Sequence, residues 1–416
     1  MKKIGIYNPY LETKGGGEKV CLALASDLSK DSQLEVFLIT HTPIDLRPLE
    51  KYFNTDLSRV TVKNIDTERW LLKSLFKLPV LGGFKFFISD LYVANKLRDL
   101  DCDVFINNCY QSNLPNMGKH GVYMCMFPQK LDSDPEHIGR LKAAYKNFLD
   151  QLYKKFIYKS QQAGVYTYDK IVANSAYTQT YIKKYWGLDS DILYPICESM
   201  YDKSIKKEKI ILNVGRFFGF DEASHHKRQD FLLETFAELK DLHKAGWQLH
   251  FAGTVADDKK ARRFVSNLKK KSQGLPVFFH FNAPFSEIKQ LYNQSSIYWH
   301  ATGYGSDPDK YPDKQEHFGI STVEAMSAES IPVVINTAGQ QEIVRNGENG
   351  YLWSSREELV KRTGQAIGLG AAEKASTIKS ASETAKRFDD KAFYALALTI
   401  IGPCLRWEPA RIDNFV

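Results

Sequence analysis

Short apolar, β-branched runs alternate with longer polar-faced segments along most of this chain. In the first half the runs are KIGIYNP from Lys3, LEVFLIT from Leu34, VTVKNI from Val60, DVFINN from Asp103, GVYMCMF from Gly121 and KIVANS from Lys170. They lack strict polar alternation, which suits strands covered on both faces, as in a parallel sheet. The segments between them supply crossover helices. Around residues 193–209, LYPICESMYDKSIKKEK, the rhythm lapses into proline and charge. It resumes with IILNVGR from Ile210, QLHFAGT from Gln248, VFFHFN from Val277, SIYWHA from Ser296, PVVIN from Pro332 and GYLW from Gly350. The expectation is an α/β chain of two doubly wound domains, residues 1–195 and 209–385, joined by a linker. A helix at about 386–416 is expected to pack back onto the first domain. Ligands of such domains bind at the carboxyl ends of the strands, here in a cleft expected between the two.

Composition narrows the partners. A length of 416 residues is enough for two or three cores. A net charge of +7 suits phosphate-bearing ligands or an anionic membrane surface, and is too weak to argue for nucleic acid. The six cysteines are scattered with no C-x-x-C pair, which argues against a zinc site or disulfide framework and for a reducing compartment. MKKIGIYNPY has no apolar signal-peptide region, and no apolar run reaches bilayer-spanning length. The expected location is cytoplasmic, with a peripheral place on the inner face of the membrane as its extension.

Three motifs carry chemistry. In YLETKGGGEKV, Gly15, Gly16 and Gly17 lie between the first strand and its helix, where bare backbone can approach an anion at a helix N-terminus. The spacing is not G-x-G-x-x-G, and a plain surface turn is the competing reading. After the first strand of the second half, NVGRFFGFDEASHHKRQDFLLETF places Arg216 at the strand end and Lys227 before the next helix. A guanidinium fork and an ammonium converging there suit a diphosphate. Solvated surface charge is the alternative, and FFGFDEASHH reads as a closing loop. The third motif, KQEHFGISTVEAMSAESIPVVI, sets Glu316 and Glu324 on either side of a turn entering a helix near Gly319. The first-turn N–H groups of Phe318, Gly319 and Ile320, beside His317, are anion donors. Glu316 can accept from sugar hydroxyls and Glu324 from a vicinal diol such as that of a ribose. Two helix-end salt-bridge carboxylates are the bland alternative.

Taken together, EHFGISTVEAMS, PVVINTAGQQEIVRNGENGYL, KGGGEKV, NVGRF…HKRQDFLLETF, YDKIVANSAYTQTYIKKYWG and LYPI resemble the retaining GT-B glycosyltransferases of family four, co-linearly over nearly the whole chain. The resemblance implies two Rossmann-like domains, the first on the acceptor side and the second binding a nucleotide-sugar. It implies Gly15 and Gly16 near the donor phosphates, Arg216 and Lys227 on the diphosphate, Glu316 on the transferred sugar and Glu324 on the ribose. Phe281 and Asn282 would lie near the base. Glu316, Arg216 and Lys227 would carry catalysis. The acceptor-side histidine of many relatives is missing from VYMCMFPQK, where Met126 and Phe127 stand instead. The implied reaction displaces a nucleotide diphosphate, UDP being favoured, with a hydroxyl of a glycan or lipid-linked acceptor. No metal or other cofactor is expected, although Asp307 and Asp309 fall in D-x-D spacing. Two basic-aromatic stretches, RWLLKSLFKLPVLGGFKFF from Arg69 and AAYKNFLDQLYKKFIYKS from Ala143, are candidates for an anionic membrane interface. A nucleotide-sugar epimerase and a non-catalytic nucleotide-sugar-binding protein are the competing functions.

Overall fold

The computed structural model describes residues 1–65, 92–110, 112–130, 141, 144–145, 147–148, 164–218 and 227–406. The stretch from Arg69 lies outside the described residues, as do all but 144–145 and 147–148 of the stretch from Ala143. Of the expected closing loop only Phe217 and Phe218 are described. The chain divides into two units. One comprises Met1–Asn174, Thr178–Leu193 and Tyr394–Val416, the other Ser175–Tyr177 and Tyr194–Phe393.

Among the described residues of the first unit, seven strands form a parallel sheet: β1 (Lys2–Tyr7), β2 (Leu34–Thr40), β3 (Thr61–Asn64), β4 (Val104–Asn107), β5 (His120–Cys125), β6 (Lys170–Ala173) and β7 (Asp191–Ile192). Their order is β3-β2-β1-β4-β5-β6-β7. Ile4 pairs with Val36 on one side and Val104 on the other, so β1 is central and the order reverses beside it. Helix α1 (Gly16–Leu28) follows β1 and buries Val20, Cys21, Leu24 and Leu28. The C-terminal helix (Asp390–Arg406) contributes to this unit from Tyr394 onward. Lys30 Nζ lies 4.9 Å from the Tyr394 ring centre.

The second unit repeats the plan. Strands β8 (Glu208–Val214), β9 (Gln248–Gly253), β10 (Val277–Phe281), β11 (Ser295–His300), β12 (Ile331–Ile335) and β13 (Tyr351–Trp353) run parallel in the order β10-β9-β8-β11-β12-β13. Its core fills both faces of the sheet, as the unalternating strands require. One face packs Trp299, Trp353, Phe236 and Phe251, and the other Leu212, Tyr292, Tyr298 and Met326. Much of the stretch expected as a linker is packed into this unit: Cys197 and Met200 are buried in its core, and β8 begins at Glu208. Its helices include α2 (Gln229–Glu238), α3 (Lys259–Lys271), α4 (Phe285–Gln294), α5 (Ile320–Ser327) and α6 (Arg356–Ile367). The strand order reverses between β8 and β11, the switch point at which doubly wound sheets open a crevice at their carboxyl ends.

Candidate functional site

The residues leaving β8 and β11 meet at that switch point. Gly215 follows β8, and a Cβ there would stand 3.0 Å from Lys227 Cγ. Gly253, at φ +152°, brings β9 so close that its own Cβ would lie 2.2 Å from the Gly215 carbonyl oxygen. These two glycines let the strand ends approach while the lysine stem passes over them. Gly215 donates its N–H to Ala252 and Phe217 to Thr254, fixing the backbone on both sides of Arg216. Phe217 is buried, but Arg216 is exposed, its guanidinium 4.9 Å from the Phe218 ring centre.

Lys227 is aimed by its neighbours. Arg228 adopts a left-handed backbone at φ +54° and donates from Nη1 to the Tyr304 carbonyl. Gln229, buried at the start of α2, donates from Nε2 toward the carbonyls of Gly215 and Arg216 at 3.4 and 3.3 Å. Together they set the Lys227 ammonium 2.5 Å from Glu316 Oε2. The same carboxylate oxygen lies 2.8 Å from Nε2 of His300, the last residue of β11 and only 1% exposed. Burial pushes the His300 pKa down, against the pull of Glu316, so the imidazole is neutral. Its partners assign the proton to Nε2, where Thr302 Oγ1 also stands at 3.0 Å, and Nδ1 is buried without a partner.

The turn from Glu316 into α5 rests on the stretch NTAGQQEI. Glu316 accepts at its carbonyl from the Gly339 N–H at 2.9 Å. A Cβ at Gly339 would fall 2.4 Å from the His317 carbonyl oxygen. Gln340 Oε1 accepts from Thr322 Oγ1 at 2.9 Å, and its Nε2 donates to the Phe318 carbonyl at 3.3 Å. Phe318 turns its ring into the core against Tyr194 and Phe388. Gly319 is the residue before α5, at φ +121°, a conformation open to glycine. The N–H groups of Phe318, Gly319 and Ile320 donate to no group among the described residues, as expected of an uncapped first turn.

The remaining expected residues of this unit lie around the same strand ends. Glu324, one turn into α5, accepts from the buried Tyr292 hydroxyl at 3.1 Å. Asn282 makes a left-handed turn after β10 at φ +54°, and its Oδ1 accepts from the Val255 N–H at 3.0 Å. Phe281 packs its ring on Phe217. His317 Nε2 donates to the Asp313 carbonyl at 3.1 Å, and desolvation pushes the ring down to about 4. Asp307 Oδ1 accepts from the Asp309 N–H at 2.9 Å, so this D-x-D carboxylate caps its own turn. Among the described residues no group of three or more His, Cys, Asp or Glu could hold a metal ion.

In the first unit, two expectations change. The Gly15 N–H donates to Glu18 Oε2 at 2.7 Å, so it serves the helix start; Gly16 keeps its N–H at the head of α1. The third glycine makes room for Met126, whose Cε would lie 2.0 Å from a Cβ at Gly17. Met126 therefore covers the glycine turn. Phe127 is 3% exposed and packs against Tyr181, so its ring is core rather than an acceptor contact.

The sequence reading missed His300, Arg228 and Gln229. The signal for His300 was its place at the carboxyl end of a strand, in SIYWHA.

Solved structures share this architecture. The TM-score is 0.64 with TarM, at 12% identity over 96% of this chain and 98% of that one. It is 0.63 with a glycosyltransferase from Rickettsia africae, at 15% identity over 98% and 99%. The fold is that of the GT-B glycosyltransferases. Residues 200–402 match the family model for glycosyl transferases group 1. It is 24% identical to the GDP-Man:Man(3)GlcNAc(2)-PP-Dol alpha-1,2-mannosyltransferase of Homo sapiens, over 96% of this chain and 86% of the relative. The enzyme of the same name from Xenopus tropicalis is 27% identical over 94% and 85%. An alpha-1,3/1,6-mannosyltransferase of Rhizomucor pusillus is 27% identical over 57% of this chain and 56% of the relative.

Proposed function

We propose that this glycosyltransferase moves mannose from GDP-mannose to a hydroxyl of a lipid-diphosphate-linked oligosaccharide, retaining the anomeric configuration. The observation that carries the reading is the cluster of Lys227, Glu316 and His300 at the switch point, leading into the unpaired first turn of α5. The relatives that extend over nearly the whole chain are named for GDP-mannose, so GDP-mannose replaces the UDP donor favoured from the sequence. Their alpha-1,2 product is what retention from an α-linked nucleotide-mannose would form.

In this mechanism the diphosphate is met by Arg216, Lys227 and the N–H groups of Gly319 and Ile320. These stabilise the charge that develops as the anomeric bond breaks. Glu324 takes the ribose diol and Glu316 a sugar hydroxyl, while Phe281 and Asn282 lie on the base side. The acceptor hydroxyl attacks from the face the diphosphate leaves, and its proton passes to the departing phosphate oxygen. Lys227 now bonds Glu316, so an arriving diphosphate competes with that carboxylate for the ammonium. Two cations and a helix terminus balance the leaving group, and the reaction is expected to proceed in EDTA. The test is transfer of labelled sugar to a polyprenyl-diphosphate oligosaccharide, with GDP-mannose and UDP-glucose compared. Mannose incorporation into an alpha linkage that persists in EDTA supports the reading. Transfer from UDP-glucose alone, a β product or a strict metal requirement contradicts it.

A further inference from the structure

Helix α3, KKARRFVSNLKKK, carries seven cations and no acid. Its apolar side is spoken for: Ala261 and Leu268 are buried, and Phe264 and Val265 pack against the core of the unit. Some of its cations have partners as well. Arg262 pairs with Asp257 at 2.8 Å, Lys271 with Glu234 at 2.7 Å, and Lys269 lies 5.0 Å from the Phe281 ring centre. The positions opposite the buried side are Lys259, Arg263, Ser266 and Lys270, at i, i+4, i+7 and i+11, and all four are exposed. Lys259, Arg263 and Lys270 have no ion-pair partner among the described residues. At 1.5 Å per residue the row extends about 17 Å. Lys259 and Arg263, four apart, repel each other only weakly, so the row costs the fold little and leaves its charge facing outward.

We propose that this row of α3 docks the enzyme on an anionic phospholipid leaflet. The choice of a leaflet over another polyanion rests on the lipid-linked acceptor proposed above. Two features of the helix agree with it. The exposed row has no aromatic ring on which a nucleic-acid base could stack, Phe264 being turned to the core. With the apolar side buried in the protein, the helix cannot insert, so attachment is electrostatic, reversible and salt-sensitive.

The experiment is co-sedimentation of the full chain with phosphatidylcholine vesicles, with and without phosphatidylserine, in the absence of donor and acceptor. The wild type should sediment only with the anionic vesicles and dissociate at high salt. The Lys259→Gln/Arg263→Gln/Lys270→Gln variant should lose affinity on the order of a hundredfold, about fivefold for each basic residue at an anionic surface. Its thermal midpoint and its transfer to detergent-dispersed acceptor should match the wild type. Equal sedimentation of the variant and wild type would overturn the proposal, as would equal binding to neutral vesicles. Competition by polyglutamate or an RNA oligomer as effective as the anionic vesicles would do the same. Because no substrate is present, a failure here leaves the transfer reaction standing, and a failed transfer assay leaves this result standing.

Discussion

His300 and Lys227 hold the same oxygen of Glu316, one as a neutral donor and the other as an ammonium. Removing the imidazole leaves the carboxylate with one fewer donor and freer to turn. A charged hydrogen bond of this kind contributes roughly 1.5–3 kcal/mol. His300→Ala should therefore lower kcat on the order of ten- to a hundredfold, with little change in GDP affinity. His300→Gln, which keeps a donor, should recover part of the loss. If steady-state kinetics find both variants at wild-type kcat, the histidine only fills space. Glu324→Gln should fail differently, weakening GDP and GDP-mannose alike by about tenfold, because a neutral amide makes weaker bonds to a ribose diol. Calorimetry with GDP checks this, and unchanged affinity would remove Glu324 from the ribose. The positions of Glu316, Glu324 and Lys227 beside a strand end or helix start were legible in the sequence, because apolar runs and a glycine turn mark those ends. His300, Arg228 and Gln229 were not, because what they do depends on partners far away in sequence: Glu316, Tyr304 and Gly215.

Turns and helices can be tested through paired glycines with opposite expected signs. Gly319 sits at φ +121°, and a Cβ would meet Gln340 Nε2 at 2.2 Å. Gly319→Ala should cost roughly 1–3 kcal/mol through backbone strain and displacement of Gln340. For a unit of this size that lowers Tm by several degrees. Gly364 lies inside α6 with nothing within 4 Å of the point where a methyl would stand, so Gly364→Ala should stabilise by about 0.5–1 kcal/mol. Thermal unfolding of the two variants should move in opposite directions; a stabilised Gly319→Ala would mean the turn relaxes freely. The strands themselves were readable because burial on both faces makes each one a continuous apolar run. The two-residue β7 at Asp191–Ile192 carries no such run and was missed. The start of β8 at Glu208 was missed because its first two residues are charged and exposed. Phe127 shows a further limit: a ring beside the glycine turn looks like an acceptor contact until packing shows it facing the core.

Across the whole molecule, the two units repeat one parallel topology, and the second adds a titration signature. His250 on β9 stands with Nδ1 3.2 Å from His280 Nε2, and His280 Nδ1 lies 2.7 Å from Glu287 Oε1. Burial, reinforced by His280, pushes His250 down to about 4. The unfolded chain then binds a proton at this site near pH 6.5 that the folded chain refuses until about 4. Its stabilising contribution is full above pH 6.5 and is lost progressively as pH falls toward 4, on the order of 2–3 kcal/mol in all. His250→Gln should flatten the stability curve across that window in denaturant titrations. An unchanged slope would show that the group does not govern the acid limb. The central claim is that Lys227 serves the donor diphosphate while Glu316, which now holds it, serves the sugar. The most direct measurement is calorimetry of GDP with wild type, Lys227→Ala and Glu316→Gln. The account predicts a ten- to a hundredfold loss for Lys227→Ala, the free-energy equivalent of roughly 1.5–3 kcal/mol, and equal or tighter binding for Glu316→Gln, whose lysine is released. Equal losses in the two variants would contradict it.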